Sequence, residues 1–222
     1  MKRLLFVIFV LTTGWLMGQD ESQEYKTIFG KGIESGGFGA PEFKVSQVNN
    51  KTSLLFGGKG GWIINHKFVI GGAGYGMTSK NTFDYTEDLE DLDGNMVFDS
   101  TRTLNLSMGY GGVYLEFIML PKKLFHLTFP LLIGSGGSDI SAKTYYDANT
   151  VDPEDWTQYE QIESTGFFIL EPGVNVQLNM TKIMRLDLGV SYRFIAATDL
   201  QRLSNNDLSD FSFNLALKFG KF

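Results

Sequence analysis

The stretch that most limits the possible folds is the last one, Asp210–Phe222. Phe211, Phe213, Leu215, Leu217 and Phe219 alternate with Ser212, Asn214, Ala216 and Lys218. A period of two belongs to a β-strand whose faces meet different surroundings. The apolar set is made only of large residues and the other set of small or polar ones, which suits a sheet with lipid on its outer side. Gly220 is read as a shift of phase that takes Phe222 off the odd-numbered face.

The start of the chain reads as an export signal. Lys2 and Arg3 form a positive n-region and Leu4–Leu11 an apolar h-region. Leu16 and Gly18 fit the −3 and −1 positions, making Gln19 the first mature residue. The apolar run is too short for a spanning helix, which needs about 20 residues. Spanning by strands is the other solution that satisfies every backbone group in a bilayer. With no Cys, a disulfide framework, a thiolate metal site and a lipoprotein anchor are all excluded. The expected organisation is a signal peptide (1–18), a short periplasmic lead (19–37) and a barrel (38–222).

Eight segments carry the alternation. The first, Phe38–Gln47, points Phe43 and Val45 outward, and Asn49–Asn50 closes it. The second, Thr52–Ile64, points Leu54, Phe56, Trp62 and Ile64 outward, and ends at the Asn65–His66 turn. The third, Lys67–Thr78, is glycine-rich, with Val69, Ala73, Tyr75 and Met77 as its outward set. The fourth, Arg102–Ile118, changes phase: Leu104, Leu106, Met108 and Tyr110 are in one register, Val113, Leu115 and Phe117 in the other. This predicts a β-bulge at Gly111–Gly112. Leu124–Gly134, Phe167–Asn179, a segment through Leu186–Phe194, and the closing stretch complete the set. Pro130 and Pro172 fall inside strands and predict a bulge or local break at each.

The connections sort by length. Those after the second, fourth and sixth strands are short, whereas Ser79–Thr101, Ser138–Thr165 and Ala196–Asp207 are long; the short turn after the first strand is the exception. Short periplasmic turns and long outer loops are the plan of outer-membrane barrels, with both termini periplasmic. The fold class is therefore all-β, an eight-stranded antiparallel up-and-down transmembrane β-barrel. A soluble lipocalin-like barrel would turn its apolar face inward instead; the aromatics at strand ends, the loop asymmetry and the terminal Phe favour the membrane.

The signal, the eight alternating segments and the terminal Phe222 resemble small outer-membrane barrels of the OmpA transmembrane domain and OmpX type. Gly57–Met77, with Trp62 and the Asn65–His66 turn, and Gly189–Phe194 are similar to uncharacterised exported barrel proteins of Bacteroidota. The resemblance covers about Phe38–Phe222 and implies architecture rather than activity.

Inward positions collect Glu42, Lys44, Lys59, Glu116, Glu171, Arg185, Asp187, Arg193 and Lys218. An eight-stranded barrel is just wide enough for side chains to fill it, so these charges are expected to pair into a plug; lining a narrow pore for ions or apolar solutes is the alternative. Outside, Asp84, Glu87, Asp88, Glu90, Asp91, Asp93 and Asp99 accompany Lys80, and Asp147, Asp152, Glu154, Asp155, Glu160 and Glu163 accompany Lys143. These thirteen acids outnumber the two lysines by eleven, while the whole chain is only −6. Tyr145, Tyr146, Trp156 and Tyr159 add aromatics to the second segment, which is a candidate surface for a glycan or a protein partner. Asp91, Asp93 and Gly94 imitate part of an EF-hand loop, but Leu89 and Ser100 occupy its first and last ligand positions.

His66 and His126 are the only histidines, and both belong to the short-turn end. A His-based hydrolase or acyltransferase at the outer rim is not expected, nor is a metal site. The glycines of GGKGG and GGAGYG precede no helix, so they are not read as a phosphate loop. The expectation is a non-enzymatic barrel without a cofactor, acting structurally or by surface interaction. Its expected partners are outer-membrane lipid and lipopolysaccharide, with the barrel-assembly machinery engaging the C-terminal strand. It is expected to be a monomer and to bind no nucleic acid.

Overall fold

A computed structural model describes residues 34–90, 96–144 and 158–222. Nine strands form one antiparallel sheet: β1 (Ser35–Val48), β2 (Lys51–Ile64), β3 (Phe68–Met77), β4 (Asn81–Glu90), β5 (Met96–Met119), β6 (Phe125–Thr144), β7 (Gln158–Asn179), β8 (Met184–Ala196) and β9 (Asp210–Lys221). β1 pairs with both β2 and β9, and β5 takes β3 and β4 end to end along one edge, so the sheet closes. β3 and β4 act as one stave, which gives the expected eight-stranded up-and-down barrel. The expected signal segment lies outside the described residues, and β1 begins at Ser35, inside the expected lead.

The two-residue turns form as expected. Asn49 and Asn50 (φ 52° and 56°) and Asn65 and His66 (φ 51° and 55°) adopt the left-handed conformation that twists with the strands. All connections at the Asn65–His66 end are short. The opposite end carries Asn49–Asn50, the β4–β5 and β6–β7 hairpins, and the 197–209 segment.

The outer face carries an apolar belt. Phe125, Leu127, Phe129 and Ile133 on β6, Phe168, Leu170, Val174 and Val176 on β7, Leu188, Val190 and Phe194 on β8, and Phe211, Phe213, Leu215 and Phe219 on β9 are all exposed. The rows Phe125–Ile133, Phe168–Leu178, Leu186–Phe194 and Phe211–Phe219 are each nine or eleven residues long. That is the length a tilted strand needs to cross hydrocarbon. The lipocalin-like arrangement is thereby overturned: charge is inside this belt and apolar surface outside.

β3 corrects the expected facing. Val69 and Tyr75 are buried and Ala73 and Met77 pack against the interior, while Phe68 and Ile70 are exposed. Glycines occupy much of the outer face of this strand, so the bulkier side chains mark its inside. Ile64, expected outward, is buried at the rim.

β5 corrects the expected bulge. Its register with β6 is continuous from Leu104↔Ala142 through Gly111↔Ser135 to Met119↔Leu127. Leu104, Leu106, Met108, Tyr110, Tyr114, Glu116 and Ile118 all face inward and are buried. The surroundings change along the strand, and the strand does not. Above the belt the interior is apolar and the outside polar; within the belt the order is reversed. The same inversion extends β4 through β7 beyond the belt, so much of the expected loops Ser79–Thr101 and Ser138–Thr165 is strand.

Prolines interrupt pairing without shifting register. β1–β9 pairs lapse at Ala40–Pro41, β6–β7 pairs at Phe129–Pro130 and β7–β8 pairs at Glu171–Pro172, and each ladder resumes in the same register. Every one of these prolines keeps a partner on its other side: Gly58, Glu116 and Leu131 respectively. They are the local breaks anticipated for Pro130 and Pro172, and a missing N–H is the cause. The one register shift between β6 and β7 lies elsewhere, between Ile140 and Ser141, and places Ile162 in excess.

Some glycines are sterically required and others are not. A Cβ on Gly71 would lie 1.9 Å from the Gly60 carbonyl oxygen, whereas one on Gly76 would meet nothing within 4 Å. Gly71→Ala is therefore expected to cost about 1–3 kcal/mol or more of stability, and Gly76→Ala little. Heat-modifiable gel mobility and thermal melts in lipid would check the pair, and equal melting points would refute this reading.

Candidate functional site: the charged lumen and its apolar cap

All nine predicted luminal charges are buried. Seven of them form ion pairs. Lys59 Nζ lies 2.9 Å from Glu42 Oε2 and 3.4 Å from Asp187 Oδ2. Lys218 Nζ lies 3.0 Å from Asp187 Oδ2 and 2.7 Å from Glu116 Oε1. These contacts chain Glu42, Lys59, Asp187, Lys218 and Glu116 across the lumen. Lys44 and Glu171 form a separate pair at 2.6 Å. The residues come from β1, β2, β5, β7, β8 and β9, so closure of the barrel is what assembles the network.

Neutral groups complete it. Tyr75 donates to Glu42 and Tyr114 to Glu116, both at 2.9 Å. Ser191 donates to Glu171 Oε1 at 2.5 Å. Gln177 donates to Asp187, and its Oε1 accepts from Arg185 at 3.1 Å. The same oxygen lies 2.7 Å from His126 Nε2, which makes that nitrogen the donor. Lys44 Nζ also sits 3.7 Å from the centre of the Tyr75 ring. The tyrosines, Ser191 and Gln177 fill the space between charged groups, as a barrel of this diameter requires.

The two arginines stand apart from the ion-pair chain. Arg185 packs its guanidinium 4.0 Å from the Phe222 ring, and Phe222 stacks on Phe38 at 6.3 Å. Phe222 thus lies on the inner side of the wall at the short-turn end. No phase shift at Gly220 is needed: β9 keeps one register with β1 from Lys221 to Ser212, and the even-numbered face is the inner one. Arg193 is fully buried and donates to two carbonyls, Leu208 at 2.8 Å and Gln47 at 3.0 Å.

Arg193 thereby latches the 197–209 segment over the other mouth. The segment contains α1 (Asn205–Leu208), and Asn49 N–H donates to the Asp207 carbonyl at 2.6 Å. Gln201 N–H donates to Glu163 at 2.5 Å, and Arg202 pairs with Glu163 at 3.3 Å. Leu203 and Leu208 insert into an apolar cluster with Leu104, Leu106, Met108, Ile140, Phe167, Ile169 and Ile195. Alternation scored against lipid hides this cap, because its apolar residues face inward; the phase change on β5 is its one visible sign in the sequence.

Between the two ion-pair groups is a cavity of about 20 Å³, room for a water molecule. Glu171 and Asn175 are among the residues that line it. His66 pairs with Glu34 at 2.5 Å in the exposed turn, and His126 is buried near the same end. Tyr145, Tyr146 and Trp156 lie outside the described residues, as do Asp91, Asp93 and Gly94, and Tyr159 is described only by its backbone in β7.

Breaking a buried ion pair by removing one partner leaves an uncompensated charge and costs about 3–5 kcal/mol. Lys218→Met is expected to destabilise on that scale, and Lys44→Met with Glu171→Leu to be milder than Lys44→Met alone. Urea unfolding from vesicles would measure both. A second expectation concerns the latch: Arg193→Ala should speed proteolytic cleavage within 197–209 while leaving the barrel's heat-modifiable mobility intact.

No protein-family model matches the chain, and no curated protein matches it. Solved structures do. Neisserial surface protein A aligns over 86% of this chain and 100% of its own, at 10% identity and a TM-score of 0.47. Ail, the attachment invasion locus protein of Yersinia pestis, crystallised with the heparin analogue sucrose octasulfate, aligns over 85% and 98%, at 12% identity and a TM-score of 0.44. The outer membrane protease OmpT from Escherichia coli aligns over 90% and 99%, at 10% identity and a TM-score of 0.35. At these values the likeness is one of general shape, and the assignment rests on the closed sheet, the belt and the charged interior. Together they make this chain a small eight-stranded β-barrel of the outer-membrane type.

Proposed function

We propose that the protein is a non-enzymatic barrel of the outer membrane, closed to ions, that acts by presenting its outer tier to partners. The observation that carries this reading is the tier itself. β4–β7 extend past the belt as a four-stranded sheet whose inner face packs into an apolar cluster above the charged lumen. Among the described strands β4 pairs with β5 on one side only, so its other edge presents backbone groups outside the ladder, one of which, the Thr82 carbonyl, accepts from Lys51 Nζ. Asp84 on this strand is exposed, and Glu87, Asp88 and Glu90 follow it in the sequence; such a run of acids favours cationic partners and discourages self-pairing. Both termini face the periplasm in this reading, and the outward face of β9 serves the assembly machinery.

The second reading, a small channel for ions or apolar solutes, draws on the apolar cluster above the charged lumen. Planar-bilayer conductance of the refolded chain separates the two. Silence is expected, because an ion would have to displace a paired lysine or carboxylate to pass. Regular open-state steps that change with Lys44→Met or Lys218→Met would sink the closed-barrel proposal.

A further inference from the structure

The short-turn end differs sharply in charge from the tier. Lys67, Lys122, Lys123, Lys182 and Lys221 are all exposed there, in three successive turns and at the end of β9. None of them makes an ion pair among the described residues. The one exposed side-chain carboxylate described at this end is Glu34, which His66 engages. The rest of the chain, apart from the two acidic segments, carries the compensating positive charge.

The same turns expose large apolar side chains. Leu120 and Leu124 (62% and 60% exposed) flank Lys122 and Lys123, and Met180 and Ile183 (48% and 66%) flank Lys182. Phe68 follows Lys67 directly and lies 5.2 Å from Phe117 on the belt's lower row. The backbone beneath is fixed: Lys123 N–H donates to the Leu120 carbonyl, Asn179 reaches across to the Lys123 carbonyl, and Met180 and Thr181 N–H both donate to the Met184 carbonyl. A water-facing turn has no use for four exposed aliphatic side chains. A turn at the boundary of hydrocarbon and headgroups does, because lysine stems lie along apolar surface while their ammonium groups reach the polar layer.

We propose that this end is a collar for anionic phospholipid headgroups. The five ammonium groups engage headgroup phosphates, while Leu120, Leu124, Met180 and Ile183 anchor the turns at the top of the acyl chains. The collar gives the barrel a preference for net-negative lipid in the leaflet at its short-turn end. It does not depend on whether the lumen conducts or on what the tier binds.

The test is electron spin resonance of spin-labelled phosphatidylglycerol and phosphatidylcholine around the refolded chain in phosphatidylcholine bilayers. Phosphatidylglycerol should associate roughly threefold more strongly at low salt and nearly equally at ~1 M salt. The variant K67Q/K122Q/K123Q/K182Q/K221Q should lose most of that preference. If it folds poorly by gel mobility, K122Q/K123Q should lose part of it. K80Q/R102Q, at the opposite end, should keep it. Millimolar inorganic phosphate at constant ionic strength should leave it unchanged; abolition would identify a site for free anions and overturn the lipid assignment. No preference in the native chain, or an equal one in the five-lysine variant, would also overturn it.

Discussion

Everything in this molecule depends on one rule, that a backbone N–H or C=O facing hydrocarbon has to be paired within the protein. Closure of β1 onto β9 and of β3 and β4 onto β5 meets that rule and, in doing so, creates an interior. The interior is narrow, so what it holds has to be packed and neutralised. The lumen is thus a consequence of the sheet, and its charged residues meet only because six strands bring them to one axis. Where proline removes a donor, the ladder lapses and resumes in register, which shows how little irregularity the closed sheet admits.

A plug of buried ions is a costly way to fill that space. Desolvating lysines and carboxylates offsets much of their mutual attraction, so such networks give specificity more readily than stability. Here the network spans strands that are far apart in sequence; Lys218 and Glu116 are 102 residues apart. A slipped register would strand a charge in the lumen, which makes the correct pairing of β9 with its neighbours self-checking. The apolar cap divides the labour: ion pairs fill the lumen inside the belt, and a conventional hydrophobic core fills the part that stands in water.

Much of this was legible in the residues. The odd-numbered set from Phe211 to Phe219 marks the lipid face, and the nine charges at inward positions are buried. The errors share one physical origin. Alternation reports that two faces differ, without reporting which side is water, lipid or core. Leu104–Tyr110 look like a phase change only if the outside is taken to be lipid throughout; once the strand leaves the belt, the same parity continues with its meaning exchanged. Tyr75 falls on the inner face because glycines occupy the outer one, and its hydroxyl meets a carboxylate in the lumen. The capping segment was out of reach, since Arg193 joins it through the Leu208 and Gln47 carbonyls, which carry no side-chain signature.

The joint between β3 and β4 keeps one parity through the stave. Five steps of chain separate Gly76 from Asn81, while their partners Gly109 and Leu106 are three steps apart. The surplus is even, so Tyr75 and Met77 below the joint and Phe83 and Tyr85 above it stay on the same side of the wall. A surplus of one would have sent Phe83 and Tyr85 into solvent and Asp84 into the core. Length variation at this point is therefore quantised: the stave can gain or lose residues in pairs and remain the same stave. The tier can be lengthened or exchanged above the joint while the membrane-embedded wall below it is left unchanged.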